Sequence, residues 1–126
     1  MKQLLTLICL FFVMQISAQD KTKTPQWLGI LTLADKYKDA KNWTKADEAI
    51  TGEHFQRLIK MKNEGVVILA GRTQLELADP GLMGLVIFYA RDEKEAMQFM
   101  QDDPAVKNKI MLAKVVPYGV AVNKCE

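Results

Sequence analysis

The sequence predicts an α+β domain of ferredoxin-like topology, a βαββαβ chain forming one four-stranded antiparallel sheet. Three observations predict it. An amphipathic stretch at 47–64 passes through Gly65 straight into the apolar run VVILAGR at 66–72. That run and the next, LMGLVIFYAR at 82–91, flank the turn signal Asp79-Pro80-Gly81, as an antiparallel hairpin requires. A second capped helix starting at Asp92 then leads into a final strand-like segment, MLAKVVPYGVAV. The 126 residues, 49% hydrophobic and 25% charged, suffice for one domain with a single core.

Residues 1–19, MKQLLTLICLFFVMQISAQ, stand apart from that domain. Lys2, the apolar run from Leu4 to Met14 and the small residues near Ala18 have the layout of a secretory signal peptide, which predicts export. An uncleaved N-terminal anchor is the competing reading, although the run falls short of the ~20 apolar residues of a comfortable span. Cleavage would remove Lys2 and leave sixteen basic residues against fifteen acidic ones. A net charge near +1 with no clustered basic face excludes nucleic-acid binding and leaves nothing to hold the mature chain at a membrane. Cleavage also removes Cys9, so Cys125 would be the only thiol and no intramolecular disulfide forms.

The mature chain opens with a polar leader, DKTKTP at 20–25, and the domain follows at 26–124. QWLGILTLAD is the first strand, with Gly29 marking a close approach. Residues 34–46 carry four lysines with Tyr37 and Trp43 between them. They read as a solvated loop with Trp43 tucked beneath it, long enough to rim a pocket. The first helix begins between Thr44 and Asp47, where Thr44-Lys-Ala-Asp47 has the form of a cap. At 100° per residue, Ile50, His54, Phe55, Leu58, Ile59 and Met61 share one half of the wheel; Glu53, Gln56, Arg57, Lys60, Asn63 and Glu64 share the other. Gly65 ends the helix.

The continuous apolar character of 66–72 predicts a central strand buried on both faces. Asp92-Glu-Lys-Glu95 has the form of a capping box for the second helix, and Asp103-Pro104 restarts a short third one. Pro117 places the last strand at an edge or a bulge. Helices on one side of such a sheet leave its other face bare. A chain of this length has no second layer to cover it, so a homodimer packed through the sheet face is expected.

Taken together, GEHFQRLIKMKNEGVVILAG and GLVIFYARDEKEAMQFMQDDPAVKNKIMLAKVVPYGVAV resemble the YciI-like (YCII-related) proteins over about residues 48–122. The shared pattern is a His-bearing helix, a strand closing in Ala-Gly, an acidic helix start and an Asp-Pro step before a short helix. The resemblance implies a dimeric α/β barrel and an active site built on a His and an Asp, which match His54 and Asp103 here. Some relatives are linked to chemistry on small cyclic or halogenated organic molecules. Three features depart from the pattern: Arg72 stands where Pro is usual, Tyr118 where Trp is usual, and many relatives lack a signal peptide.

His54, the only histidine, has two readings. It is a core histidine satisfied by hydrogen bonds, or an imidazole oriented by a carboxylate for general acid/base work. Asp103 is likewise a helix cap or the carboxylate that orients His54. Arg72 is a surface charge closing a strand or a contact for an anionic group, and Tyr37 and Tyr118 are further candidates to line a pocket with it. One histidine and a terminal cysteine make no zinc site. No phosphate-binding glycine loop and no nucleophile elbow occur, so no cofactor is expected. The chain therefore reads as an enzyme acting on a small organic molecule; a non-catalytic small-ligand-binding or scaffold module of the same fold is the alternative.

Overall fold

A computed structural model describes residues 24–123. The segment read as a signal peptide, residues 20–23 of the leader, and Cys125 lie outside the described residues. The elements run β1 (Gln26–Leu33), α1 (Lys45–Asn63), β2 (Val67–Arg72), β3 (Gly84–Tyr89), α2 (Glu93–Gln101), α3 (Pro104–Lys107) and β4 (Met111–Tyr118), with two short 3-10 turns between β1 and α1. The strands form one sheet in the order β2-β3-β1-β4, and each neighbouring pair is antiparallel. This is the expected ferredoxin-like arrangement: β3 returns from the hairpin to lie between β1 and β2.

Local chemistry fixes the ends of α1. Thr44 accepts from the Asp47 N–H through its hydroxyl, and the Asp47 carboxylate accepts from the Thr44 N–H at 2.9 Å, a reciprocal capping box. At the other end Gly65 takes φ +80°. Its N–H donates to the Lys62 carbonyl and that of Val66 to the Met61 carbonyl. These paired bonds return the chain into β2 without an intervening loop. Helix α2 differs slightly from the expected box. The Asp92 side chain accepts from the Glu95 N–H, but the Glu95 carboxylate reaches one residue further back, to the Arg91 N–H.

Alternation along the strands puts Trp27, Leu31, Val86, Phe88 and Val115 under the helices, where all are buried. Phe88 stacks on Phe99 of α2 with ring centroids 4.4 Å apart. Gly29 is the notch that receives Met100: a Cβ built there would lie 2.5 Å from the Met100 sulfur. The close approach signalled by this glycine is thus made by a buried side chain rather than by backbone. Met100 is buried, so its thioether end must shift within the core, and Gly29→Ala is expected to destabilise the fold by about 1–3 kcal/mol, the usual effect of overpacking. A lowered urea midpoint at unchanged slope would register it.

One expectation fails. β2 is an edge strand, not a central one, and Leu69 on it is 62% exposed. A continuous apolar run does not distinguish a strand between two others from an edge strand with apolar surroundings on both faces. Here Val67 packs into the core on one face while Leu69 lies on the sheet face away from the helices, with a register shift between them. β4 is the other edge, as Pro117 requires. The face away from the helices carries Leu28, Ile30, Leu85, Ile87, Leu112, Val116 and Tyr118 by strand alternation, with Thr32 and Lys114 among them, and Leu112 is 56% exposed. Among the described residues no element packs on this largely apolar face.

Candidate active site

The site is built where α1 passes the start of α3. Asp103 precedes Pro104 in extended conformation and caps α3: its Oδ1 accepts the Ala105 N–H at 2.9 Å. Proline at the first helical position suits this geometry because its missing N–H would have had no partner. The other carboxylate oxygen, Oδ2, lies 2.8 Å from His54 Nδ1. The cap and the dyad therefore coexist, one oxygen serving each.

A third side chain closes the cluster. Arg57, one turn after His54 on α1, sets Nη1 3.4 Å from Asp103 Oδ2 and donates from Nη2 to the Phe99 carbonyl at 2.7 Å. That carbonyl belongs to the last turn of α2, where carbonyls lack helical partners. The guanidinium also lies over the Phe99 ring, 4.4 Å from its centroid, a favourable cation–π position. Arg57 thus ties together α1, the end of α2 and the start of α3. Its position on the polar half of the helical wheel concealed it. The signal that would have found it is its i+3 spacing from His54, which brings both side chains to one partner.

Asp103 is 2% exposed. Burial by itself would raise its carboxyl pKa. The His54 hydrogen bond and charge, the Ala105 N–H and the Arg57 charge together outweigh that and hold it below the ordinary carboxylate value. A carboxyl depressed by folding stabilises the protein above its unfolded pKa, about 3.9, and loses that contribution as pH falls through the folded value. The stability difference between the wild type and Asp103→Asn is accordingly expected to be constant near neutrality and to shrink below about pH 4. Urea melts of both proteins across that range would check it; a difference that persists unchanged into acid would contradict it.

His54 also faces a cleft of about 560 Å³ between α1 and the sheet, within the range of small-molecule sites. Phe55, Leu58 and Ile59 of α1 form one wall, Leu31 of β1 and Val86 of β3 the floor, and Leu82 and Met83 the rim nearest the β2–β3 loop. That loop is clasped by Thr73, whose hydroxyl donates to the Gly81 carbonyl and accepts the Met83 N–H. Phe55 is 60% exposed because the apolar stripe of α1 meets this cleft instead of a packed layer. Among the described residues His54 Nε2 makes no hydrogen bond. No buried side-chain nitrogen or oxygen among the described residues lacks a partner, so Nε2 is open to solvent.

The other candidates divide. Arg72, at the end of β2, lines the cleft. Tyr37 does not: it is buried, its hydroxyl donates to Asp47 at 3.1 Å, and its ring meets Trp43 edge-on. Trp43 takes the place expected for Tyr37. It lines the cleft, held by an Nε1 hydrogen bond of 2.8 Å to the Tyr37 carbonyl. Tyr118 also lies away from the cleft. β4 carries it on the bare sheet face, where it is 42% exposed. Thr51 and Lys62 line the cleft as well, polar positions on α1 that its apolar pattern did not single out.

Among the described residues no group of three or more His, Cys, Asp or Glu side chains could hold a metal ion, and no helix is long and apolar enough to cross a membrane. Residues 30–117, more than half of the chain, match the family model described as the YCII-related domain. The matched span contains His54, Arg57, Arg72 and Asp103. No curated protein matches the chain.

Proposed function

This chain belongs to the YCII-related family, and from that premise we propose that it is a small exported enzyme that binds a small organic molecule in its cleft and moves a proton through His54. The observation that carries the reading is the 2.8 Å contact of His54 Nδ1 with Asp103 Oδ2, made by a ring that also lines the cleft. With the carboxylate ionised, the Nδ1 proton lies toward Asp103, and the lone pair is left on Nε2. A proton taken by Nε2 from the bound molecule produces an imidazolium beside the Asp103 carboxylate, which favours that charge. Returning the proton to another atom of the molecule restores the site. Asp103 orients and stabilises the ring and accepts no proton itself.

The test uses the fact that His54 is the only histidine, so its ring signals need no disentangling. Nitrogen-15 spectra near neutral pH are expected to show the Nδ1–H tautomer, with Nε2 unprotonated. An Nε2–H tautomer would end the base reading. The scaffold alternative has support of its own, because the same contacts brace three helices. The His54 substitution considered in the Discussion separates the two.

We also propose a homodimer joined through the bare sheet face. Its support is the largely apolar character of that face, on which Leu69, Leu112 and Tyr118 are exposed. Sedimentation equilibrium is expected to give twice the chain mass, and Leu112→Asp the chain mass alone. A monomeric wild type at tens of micromolar, far above the Kd of a stable interface, would end this proposal. Export rests on the signal-like residues 1–19. N-terminal sequencing of protein recovered outside the cytoplasm is expected to begin at Asp20, and a retained Met1 would refute cleavage.

A further inference from the structure

We infer that the cleft is built for a small carboxylate with an apolar body, and that Arg72 is the group that holds the carboxylate. The inference rests on the reading of the cleft as a small-molecule site, and it does not depend on whether His54 moves a proton. Three observations converge on it.

The first is the charge of the walls. The ionisable side chains lining the cleft are His54, Lys62 and Arg72, and among the described residues no carboxylate lines it. Asp103 stands behind His54 and is spent on the imidazole, the α3 cap and Arg57. A cleft with cationic groups, apolar walls and no acid concentrates anions and repels cations. The second is that Arg72 is uncommitted. Arg57 and Arg91 each pair with a carboxylate, whereas Arg72 makes no ion pair among the described residues. Its planar fork matches one planar carboxylate.

The third is position. From Gly65, β2 climbs back along α1. The six residues of β2 at about 3.3 Å each reach roughly 20 Å. A helix rising about 1.5 Å per residue covers that distance in about thirteen residues, which puts Arg72 level with Thr51 and Gly52, within one turn of His54. Lys62 lies eight residues, about 12 Å, further down the helix. A carboxylate on Arg72 therefore keeps the first carbons of its chain beside His54, while the rest extends along Phe55, Leu58 and Ile59. Lys62 stands at the distant end, and the carboxylate is assigned to Arg72 rather than to it.

The probes are octanoate, its neutral counterpart octanamide, and octyl phosphate. Binding is read from shifts of the Thr51, Ala70 and Gly84 amides in nitrogen-15 spectra, which also report that each variant is folded. The wild type is expected to bind octanoate at least tenfold tighter than octanamide. Arg72→Gln is expected to abolish that preference by weakening octanoate alone, and Lys62→Gln to retain most of it. Equal binding of octanoate and octanamide overturns the inference, as does a preference that survives in Arg72→Gln or the absence of shifts with every probe at millimolar concentration. Tighter binding of octyl phosphate than of octanoate overturns the carboxylate assignment. The His54 tautomer measurement is untouched by any of these results, so this inference and the proton-transfer reading fail separately.

Discussion

Replacing Asp103 with alanine is expected to destabilise the fold by about 3–5 kcal/mol, the range for removing one member of a buried charged cluster. The substitution does three things at once. It uncaps α3 by removing the acceptor of the Ala105 N–H, it leaves His54 Nδ1 without a partner, and it strips the Arg57 guanidinium of its carboxylate. Asparagine separates these effects. It caps a helix about as well as aspartate, so Asp103→Asn retains the α3 start and loses the charge together with the second acceptor, its amide nitrogen standing where Oδ2 received His54 and Arg57. The expected order of stability is wild type, then asparagine, then alanine. Urea denaturation of the three proteins at neutral pH decides it. An alanine variant within about 1 kcal/mol of wild type, less than a typical buried charged hydrogen bond, would show that the cluster does not hold the helices together.

The parts of this molecule that were legible in the sequence are those decided within a few residues. Thr44 with Asp47, Gly65, Asp92 and the Asp103-Pro104 step each set a helix boundary through local hydrogen bonds, and each does so in the fold. What was not legible depends on partners distant in the chain. The run at 66–72 has the same apolar letters whether it pairs on one edge or two, and only the placement of β3 between β1 and β2 makes it an edge. Arg57 looked solvated because a helical wheel knows nothing of Phe99, forty-two residues away. Tyr37 read as a pocket residue and Trp43 as the one tucked beneath the loop, and the fold reverses them. The Tyr37 hydroxyl finds Asp47 and sinks into the core, and its carbonyl then presents Trp43 to the cleft. His54 and Asp103 were paired by family resemblance, not by any pattern within this chain.

Replacing His54 with asparagine is expected to lower the proposed proton transfer by about 10²–10⁴-fold, the usual contribution of a positioned general acid or base, while leaving the fold largely intact. The asparagine amide occupies nearly the place of the Nδ1–H donor, so the buried Asp103 oxygen retains a partner, and the two residues have similar helix propensity. What disappears is Nε2, the ring nitrogen without a partner among the described residues. The cost in stability is accordingly expected to stay within about 1.5 kcal/mol, the low end for a hydrogen bond to a charged group. Deuterium uptake from D₂O into a panel of small apolar carbon acids measures the first quantity, and urea denaturation the second. If His54→Asn instead unfolds the protein readily and no carbon acid exchanges faster with wild type than without it, the histidine is a brace and the scaffold reading stands. If exchange is catalysed and the variant retains it, proton transfer takes place at another group. Only loss of exchange in a folded variant places the proton on the one ring nitrogen that the Asp103 network leaves free.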